Sequence, residues 1–151
     1  MKSIKYFAQF LIILFFFMIF KILGLKFASF ISSKILSLIG PFFRSKELIK
    51  SNLLKALPGL SRNEIHKIIN DMWCNYGRIL AEYLFIKQLR SSKLENNIQV
   101  KGQEILDEIK KNNEPVIFIS GHFSNFELMA MHIEKSGINL AAVYRPLNNK
   151  F

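Results

Sequence analysis

The N-terminal apolar run restricts the possible folds of this chain more than any other feature of its sequence. Residues 6–20, YFAQFLIILFFFMIF, carry no charge, and the run extends to Leu25 with Lys21 as its one interruption. An α-helix needs about 20 such residues to cross the hydrocarbon core of a bilayer. The sequence therefore predicts a membrane anchor over residues 1–25.

A cleaved signal peptide is the main alternative to this anchor. Lys2 and Lys5 supply the basic start that a signal peptide has before its hydrophobic stretch. However, the apolar run is longer than a usual signal core. The sequence after it, KILGLKFASFISSKIL, has no clean small-x-small cleavage site followed by a polar mature start. Both observations favour an uncleaved anchor.

The distribution of positive charge predicts the orientation of the anchor. Two lysines precede the run, whereas seven basic residues follow it: Lys21, Lys26, Lys34, Arg44, Lys46, Lys50 and Lys55. Positive segments tend to stay on the cytoplasmic side, so we expect the rest of the chain in the cytoplasm. The single cysteine, Cys74, agrees with a reducing compartment and excludes an internal disulfide and a cysteine-based zinc site.

The net charge of +10 indicates an anionic partner. After the anchor the basic residues are interleaved with Phe, Ile and Leu, which favours lipid headgroups over nucleic acid. An acidic carrier protein could use the same positive field. The chain contains neither a glycine-rich phosphate loop nor a serine elbow, and its three histidines lack metal-ligand spacing. We therefore expect neither a metal nor a cofactor.

Residues 26–97 read as a helical, membrane-proximal region. Apolar residues recur at helical spacing from Phe27 to Phe42, and Gly40 and Pro41 end the pattern. This amphipathic helix either lies at the membrane interface or packs on the rest of the protein. A second helix is expected over residues 46–56.

The next helix has the clearest start signal in the sequence. Ser61 and Glu64 form a capping box, and apolar residues then hold a helical period as far as Tyr83. One face of this helix carries four polar side chains, Asp71, Asn75, Arg78 and Glu82. Spacing alone favours a solvated face over a functional one. A polar linker over residues 91–97 follows.

Residues 98–151 predict the start of an α/β domain. Short apolar runs at 98–100, 115–120 and 138–144 are read as strands, with helices over 103–111 and 125–135 between them. This order implies a right-handed βαβ unit with parallel strands. Ligands bind beyond the carboxyl ends of such strands, where His122 and Arg145 fall.

His122 and Glu127 are the candidate catalytic pair. A histidine and an acid at this offset arise by chance in about one such sequence in five. If His122 precedes the helix and Glu127 lies in its first turns, the carboxylate can orient the imidazole and stabilise its protonated form. Such a pair suits general-base acyl transfer from a thioester to a hydroxyl.

Several sequence blocks occur in an order that resembles the late acyltransferases of lipid A biosynthesis, the lauroyl and myristoyl transferases of the wider histidine-x4-acid acyltransferases. They follow an N-terminal membrane helix and are NLLKALPGLSRNE from Asn52, MWCNYGRILAEYL from Met72, VKGQEIL from Val100, PVIFISGHFSNFE from Pro115 and VYRPLNN from Val143. This ordered set is far more specific than the His122–Glu127 pair alone.

The resemblance implies a bacterial inner-membrane enzyme that transfers a fatty acyl chain from acyl carrier protein to a lipid A precursor in lipopolysaccharide biosynthesis. It implies His122 as the general base and Glu127 as its orienting carboxylate. Arg145, in the Tyr-Arg-Pro block, would hold an anionic group of a substrate. Arg78 and Glu82 match the helical Gly-Arg-x3-Glu block and would also bind substrate.

Members of that family are longer, and their downstream arginine and aspartate blocks have no counterpart here. The sequence therefore predicts an incomplete acyltransferase sheet, with residues 98–151 as the N-terminal part of the domain. The expected protein is a truncated or split form, the latter completed by a separately encoded C-terminal half. The alternatives are an inactive membrane-anchored remnant and a glycerolipid acyltransferase. Glu127, where the glycerolipid branch generally has aspartate, counts against the last.

Overall fold

A computed structural model of the chain describes residues 2–91 and 95–143, and every regular element in this part of the chain is helical. The α-helices are α1 (Lys2–Ile39), α2 (Lys46–Ala56), α3 (Arg62–Glu82), α4 (Ile86–Arg90), α5 (Gln103–Asn112) and α6 (Glu127–Lys135). Short 3₁₀ turns lie at Gly40–Phe42, Tyr83–Phe85 and Glu95–Asn97. Contacts divide the described residues into two compact units, residues 16–84 and residues 2–15 with 85–143.

The N-terminal apolar run is helical, as predicted, but it is interrupted near the predicted end of the anchor. Gly24 has φ 74° and ψ 166°, a backbone conformation outside the helical region, so α1 consists of two helical segments. Glycine alone adopts this conformation readily because it has no Cβ. The stretch Ile4–Phe42 is long and apolar enough to cross a membrane by length and composition.

Small residues, not the large apolar ones, pack the second segment of α1 within residues 16–84. Ala28, Ser32 and Ser33 are buried, whereas Phe27 and Leu38 are exposed. Large side chains would prevent the close approach of α3 at this point. A Cβ at Gly77 would lie 2.3 Å from the carbonyl oxygen of Ser32. The absence of a side chain at residue 77 therefore sets the distance between these two helices.

Local hydrogen bonds start α2 and α3 where the sequence predicts them. The Ser45 hydroxyl accepts a hydrogen bond from the Leu48 amide at the start of α2. At the start of α3 the Glu64 amide donates to the Ser61 hydroxyl at 3.3 Å, and the Ser61 amide donates to the Glu64 carboxylate at 2.8 Å. The predicted capping box is thus confirmed, and it satisfies amide donors that have no partner inside the helix.

The other unit is held by polar contacts between short helices. His132 Nε2 on α6 donates to Gln103 Oε1 on α5 at 2.6 Å, and Gln103 Nε2 donates to the Ser136 hydroxyl at 3.3 Å. An ion pair joins Arg90 on α4 to Glu134 on α6, and both side chains are about half exposed. Exposed pairs of this kind contribute little to stability, so α4 and α6 depend mainly on the contacts of buried Leu89 and Ile133.

The predicted βαβ sheet is wrong for the part of the chain that the structure describes. Residues 98–100, 115–120 and 138–143 are irregular, and the end of the last predicted strand, Tyr144, lies outside the described residues. Ile117 and Ile119 are 90% and 92% exposed, not buried as the apolar run suggested. A strand needs a hydrogen-bonded neighbour, and the described residues supply no backbone partner to these segments.

Candidate active site around His122

The candidate base lies in the irregular segment that precedes α6. The His122 side chain is exposed, and its ring centroid lies 4.3 Å from that of Phe126 at an interplanar angle of 54°. A tilted arrangement at this distance is a favourable contact between aromatic rings. Phe126 therefore supports one side of the imidazole while the ring remains accessible to solvent.

A tight turn joins His122 to α6. Ser124 has a positive φ of 47°. The amides of Leu128 and Met129 donate to the carbonyl oxygens of Asn125 and Phe126, each at 3.2 Å. These bonds fix the direction in which the chain enters α6. Glu127 is the first residue of the helix, two positions later than the predicted start at residue 125.

This arrangement is compatible with general-base chemistry. His122 precedes α6, and the exposed carboxylate of Glu127 stands at the positive end of the helix dipole. An accessible imidazole can accept a proton from a hydroxyl group.

The two predicted substrate-binding residues that the structure describes do not lie in the same unit as His122. Arg78 and Glu82 lie four residues apart on α3 in the unit formed by residues 16–84, with Arg78 exposed and Glu82 partly buried. His122 and Glu127 belong to the other unit. Arg145 lies outside the described residues. The structure therefore places His122 in the segment before α6 and Glu127 at the first position of that helix, whereas Arg78 and Glu82 belong to the other unit.

A cationic cavity between α2 and α3 is a further candidate site. Its lining includes Lys46, Lys50, Arg62 and His66. No motif marks these residues in the sequence. The one signal is their spacing, because each helix contributes two basic residues four positions apart, which lie on the same face. Among the described residues, no group of three or more His, Cys, Asp or Glu side chains is arranged to hold a metal ion.

Comparison with known proteins identifies the relatives of the chain. It is 27% identical over 111 residues to a lipid A biosynthesis myristoyltransferase of Escherichia coli (strain K12), which covers 74% of this chain and 34% of that protein. It is also 27% identical over 111 residues to lipid A biosynthesis acyltransferase 1 of Shigella flexneri, with the same coverage. Lipid A biosynthesis acyltransferase 2 of that species is 28% identical over 98 residues, 65% of this chain and 31% of the relative.

These matches cover most of this chain but only a minor part of each relative. The chain spans about a third of the length of the curated relatives that it matches. No solved structure matches it with comparable significance. The family model for bacterial lipid A biosynthesis acyltransferases matches residues 1–151. The chain therefore belongs to the bacterial lipid A biosynthesis acyltransferase family.

Proposed function

We propose that this chain takes part in transferring a lauroyl- or myristoyl-type chain from acyl carrier protein to a hydroxyl group of a lipid A precursor. The observation that carries the proposal is the family match over residues 1–151. The position of His122 in the short segment before α6, with Glu127 as the first residue of that helix, supports it. The unmatched length of the relatives is a reason to expect that further acyltransferase sequence, in the same or a separate chain, completes the site.

In this mechanism, His122 removes the proton from the acceptor hydroxyl as its oxygen attacks the thioester carbonyl carbon. The carbon–sulfur bond then breaks, the new ester forms, and the proton held by the imidazole passes to the departing thiolate. Glu127 stabilises the imidazolium during this sequence because a neighbouring carboxylate favours the protonated ring. No covalent acyl–enzyme intermediate is required.

We further propose that α1 anchors the protein in the bacterial inner membrane with the catalytic part in the cytoplasm. The length and apolar composition of Ile4–Phe42 support a membrane segment. The excess of Lys and Arg after the run supports the cytoplasmic side for the rest of the chain. Acyl carrier protein is available there, and the lipid acceptor would be presented at the same membrane surface.

We assign substrate binding to three charged residues, Arg78, Glu82 and Arg145, each on different grounds. Arg78 is exposed on α3 and can bind an anionic group of either substrate. Glu82, one turn later on that helix, would orient the arginine or accept a hydrogen bond from a substrate hydroxyl. Arg145 is assigned by its sequence block alone, as a second ligand for a phosphate.

The test uses the full natural protein that carries residues 1–151, in membrane vesicles with acyl-loaded carrier protein and a lipid A precursor. Mass spectrometry detects the added acyl chain. His122→Ala is expected to lower the rate by about 100-fold or more, the usual contribution of a general base. Glu127→Gln is expected to lower it less, since the base itself remains.

Glu134→Gln is the matched control, because Glu134 is an exposed acid on the same helix that makes only a surface ion pair. Its rate is expected to match that of the unaltered protein. Retained activity in His122→Ala would contradict the assignment of the base. Acyl transfer to glycerol 3-phosphate instead of the lipid A precursor would assign the chemistry to a glycerolipid acyltransferase.

A further inference from the structure

Residues 16–84 contain a cavity of about 520 Å³ where the end of α1, α2 and α3 converge, which we call the basic cavity. Ligand sites of small molecules commonly have volumes of about 300–1,000 Å³. Trp73 and Ile65 are buried and line the apolar part of the cavity, whereas exposed charged side chains line its rim. The combination of an apolar interior and a charged rim suits an amphiphilic ligand.

Positive charge dominates the rim. Lys46, Lys50 and Arg62 are exposed, and none of them makes an ion pair with a carboxylate of the described residues. The one acid at the cavity, Glu47, accepts a hydrogen bond from the Ser45 hydroxyl at 2.7 Å. The rim therefore carries three cationic side chains and one carboxylate. Lysine and arginine at this density are typical of a site for a phosphate group.

The position of the basic cavity in the chain indicates where that phosphate comes from. Pro41, in the 3₁₀ turn at the end of the membrane-length stretch Ile4–Phe42, lines the cavity, and Lys46 begins the next helix. Phe42 and Phe43, between these two residues, are 89% and 74% exposed. Exposed aromatic residues between an apolar helix and a basic segment are typical of the membrane–water interface. This position favours a lipid headgroup over a free anion as the source of the phosphate.

From these features we infer that the basic cavity binds the phosphate headgroup of an anionic membrane phospholipid. Lys46, Lys50 and Arg62 bind the phosphate, and the apolar wall formed by Ile65 and Trp73 contacts the glycerol and the first methylene groups of the acyl chains. The inference concerns a lipid of the surrounding membrane, so it rests on the proposed membrane anchoring by α1 but not on the proposed acyl transfer.

Trp73 provides a direct measurement, because it lines the basic cavity and is the single tryptophan of residues 1–151. The same titration of Trp73→Phe gives the background signal to subtract. The full protein in a neutral detergent is titrated with the short-chain lipid dihexanoylphosphatidylglycerol while tryptophan fluorescence is recorded. A saturable change is expected. Dihexanoylphosphatidylcholine, which has the same chains but no net charge, is expected to bind at least tenfold more weakly. Inorganic phosphate and glycerol 3-phosphate are expected to bind more weakly still, since they lack acyl chains.

The double variant Lys46→Gln/Lys50→Gln is expected to raise the Kd for the anionic lipid at least tenfold. Lys46→Arg/Lys50→Arg retains the charge and is expected to bind normally. The matched control, Lys101→Gln/Lys111→Gln, removes two exposed lysines from the other unit and is expected to change the Kd less than twofold. Circular dichroism verifies that each variant keeps its helices.

Three results would overturn the inference. Equal affinity for the anionic and the uncharged lipid would exclude recognition of the charge. Inorganic phosphate binding as tightly as the lipid would identify a free anion as the ligand. Unchanged affinity in Lys46→Gln/Lys50→Gln would place the lipid elsewhere. Acyl transfer is assayed separately on the same variants, so failure of the headgroup site and failure of the proposed function are distinguishable.

Discussion

The two units of the molecule differ in how far their sequences determine their structure. In residues 16–84, the ends of α1 and α2 and the capping box of α3 coincide with signals in the sequence. In residues 85–143, two apolar segments that were predicted to be buried strands are irregular and exposed. A helix satisfies its backbone hydrogen bonds within itself, whereas a strand needs a second segment. Local sequence signals therefore determine the structure of residues 16–84 more fully than that of residues 85–143.

A large effect on stability is expected from Gly77→Ala, which tests the close helix contact of residues 16–84. Alanine is favoured over glycine inside a helix by about 1 kcal/mol. However, the new Cβ would lie 2.3 Å from the Ser32 carbonyl oxygen, and α1 and α3 would have to separate. We expect the free energy of unfolding to fall by about 2 kcal/mol, as in other overpacked sites. Denaturant titration of the helical circular dichroism signal in detergent measures it.

Gly59→Ala is the matched control, because nothing lies within 4 Å of a Cβ at that position. It is expected to change the free energy of unfolding by less than about 0.5 kcal/mol. If Gly77→Ala were as stable as the control, α1 and α3 would not be in the close contact described above.

A smaller effect is expected from Ser61→Ala, which tests whether local caps determine this unit. Loss of the cap of α3 is expected to lower the free energy of unfolding by about 1 kcal/mol. Ser51→Ala, at an exposed position inside α2, is the control and is not expected to destabilise the protein, because alanine favours helix. An equal loss in both variants would show that the capping box contributes nothing specific.

The same cap predicts a dependence on pH. The hydrogen bond from the Ser61 hydroxyl, and then that from the Ser61 amide, lower the pKa of the Glu64 carboxyl below its usual value. A lowered pKa in the folded state stabilises the protein above the pKa of the unfolded state, and this contribution is lost as the pH falls through the folded pKa. Ser61→Ala is therefore expected to reduce the loss of stability on acidification.

The smallest effect is expected from Ile119→Ser, which tests the exposed segments of the other unit. Because Ile119 is 92% exposed, we expect a change in the free energy of unfolding of less than about 0.5 kcal/mol. Ile133→Ala, at a buried position of α6 in the same unit, is expected to cost about 2–4 kcal/mol. A similar cost for Ile119→Ser would mean that residues 115–120 are buried after all.

The helices could be predicted because their signals are local. Helical periodicity and the Ser61 capping box predicted α3, and the helix expected over residues 46–56 coincides with α2. Gly40 and Pro41 correctly marked the end of α1. The start of α6 was predicted two residues early, since Phe126 occupies the cap position without a side-chain hydrogen bond that a sequence motif could reveal. The strands were predicted wrongly, because a run of β-branched and apolar residues indicates burial without specifying a partner strand.

The sequence predicted where His122 and Glu127 lie relative to a helix, but it did not establish what they do. The glycine after an apolar run correctly put His122 before a helix and Glu127 in its first turn. The catalytic roles of both residues remain predictions, as do those of Arg78 and Glu82. The basic cavity could not be predicted, because it forms only where α2 and α3 pack together. The four-residue spacing places two basic residues on one face of each helix, but it does not specify that packing.

The break at Gly24 has a consequence for how deeply the protein can sit in a membrane. The helical residues before it, 2–23, span about 33 Å at 1.5 Å per residue, close to the thickness of a bilayer core. Any side chain at position 24 would disfavour φ 74° and favour one continuous rod of about 57 Å. In the proposed membrane anchor, the missing Cβ at Gly24 thus limits the first helical segment to about the thickness of a bilayer core and lets the second segment take a different direction.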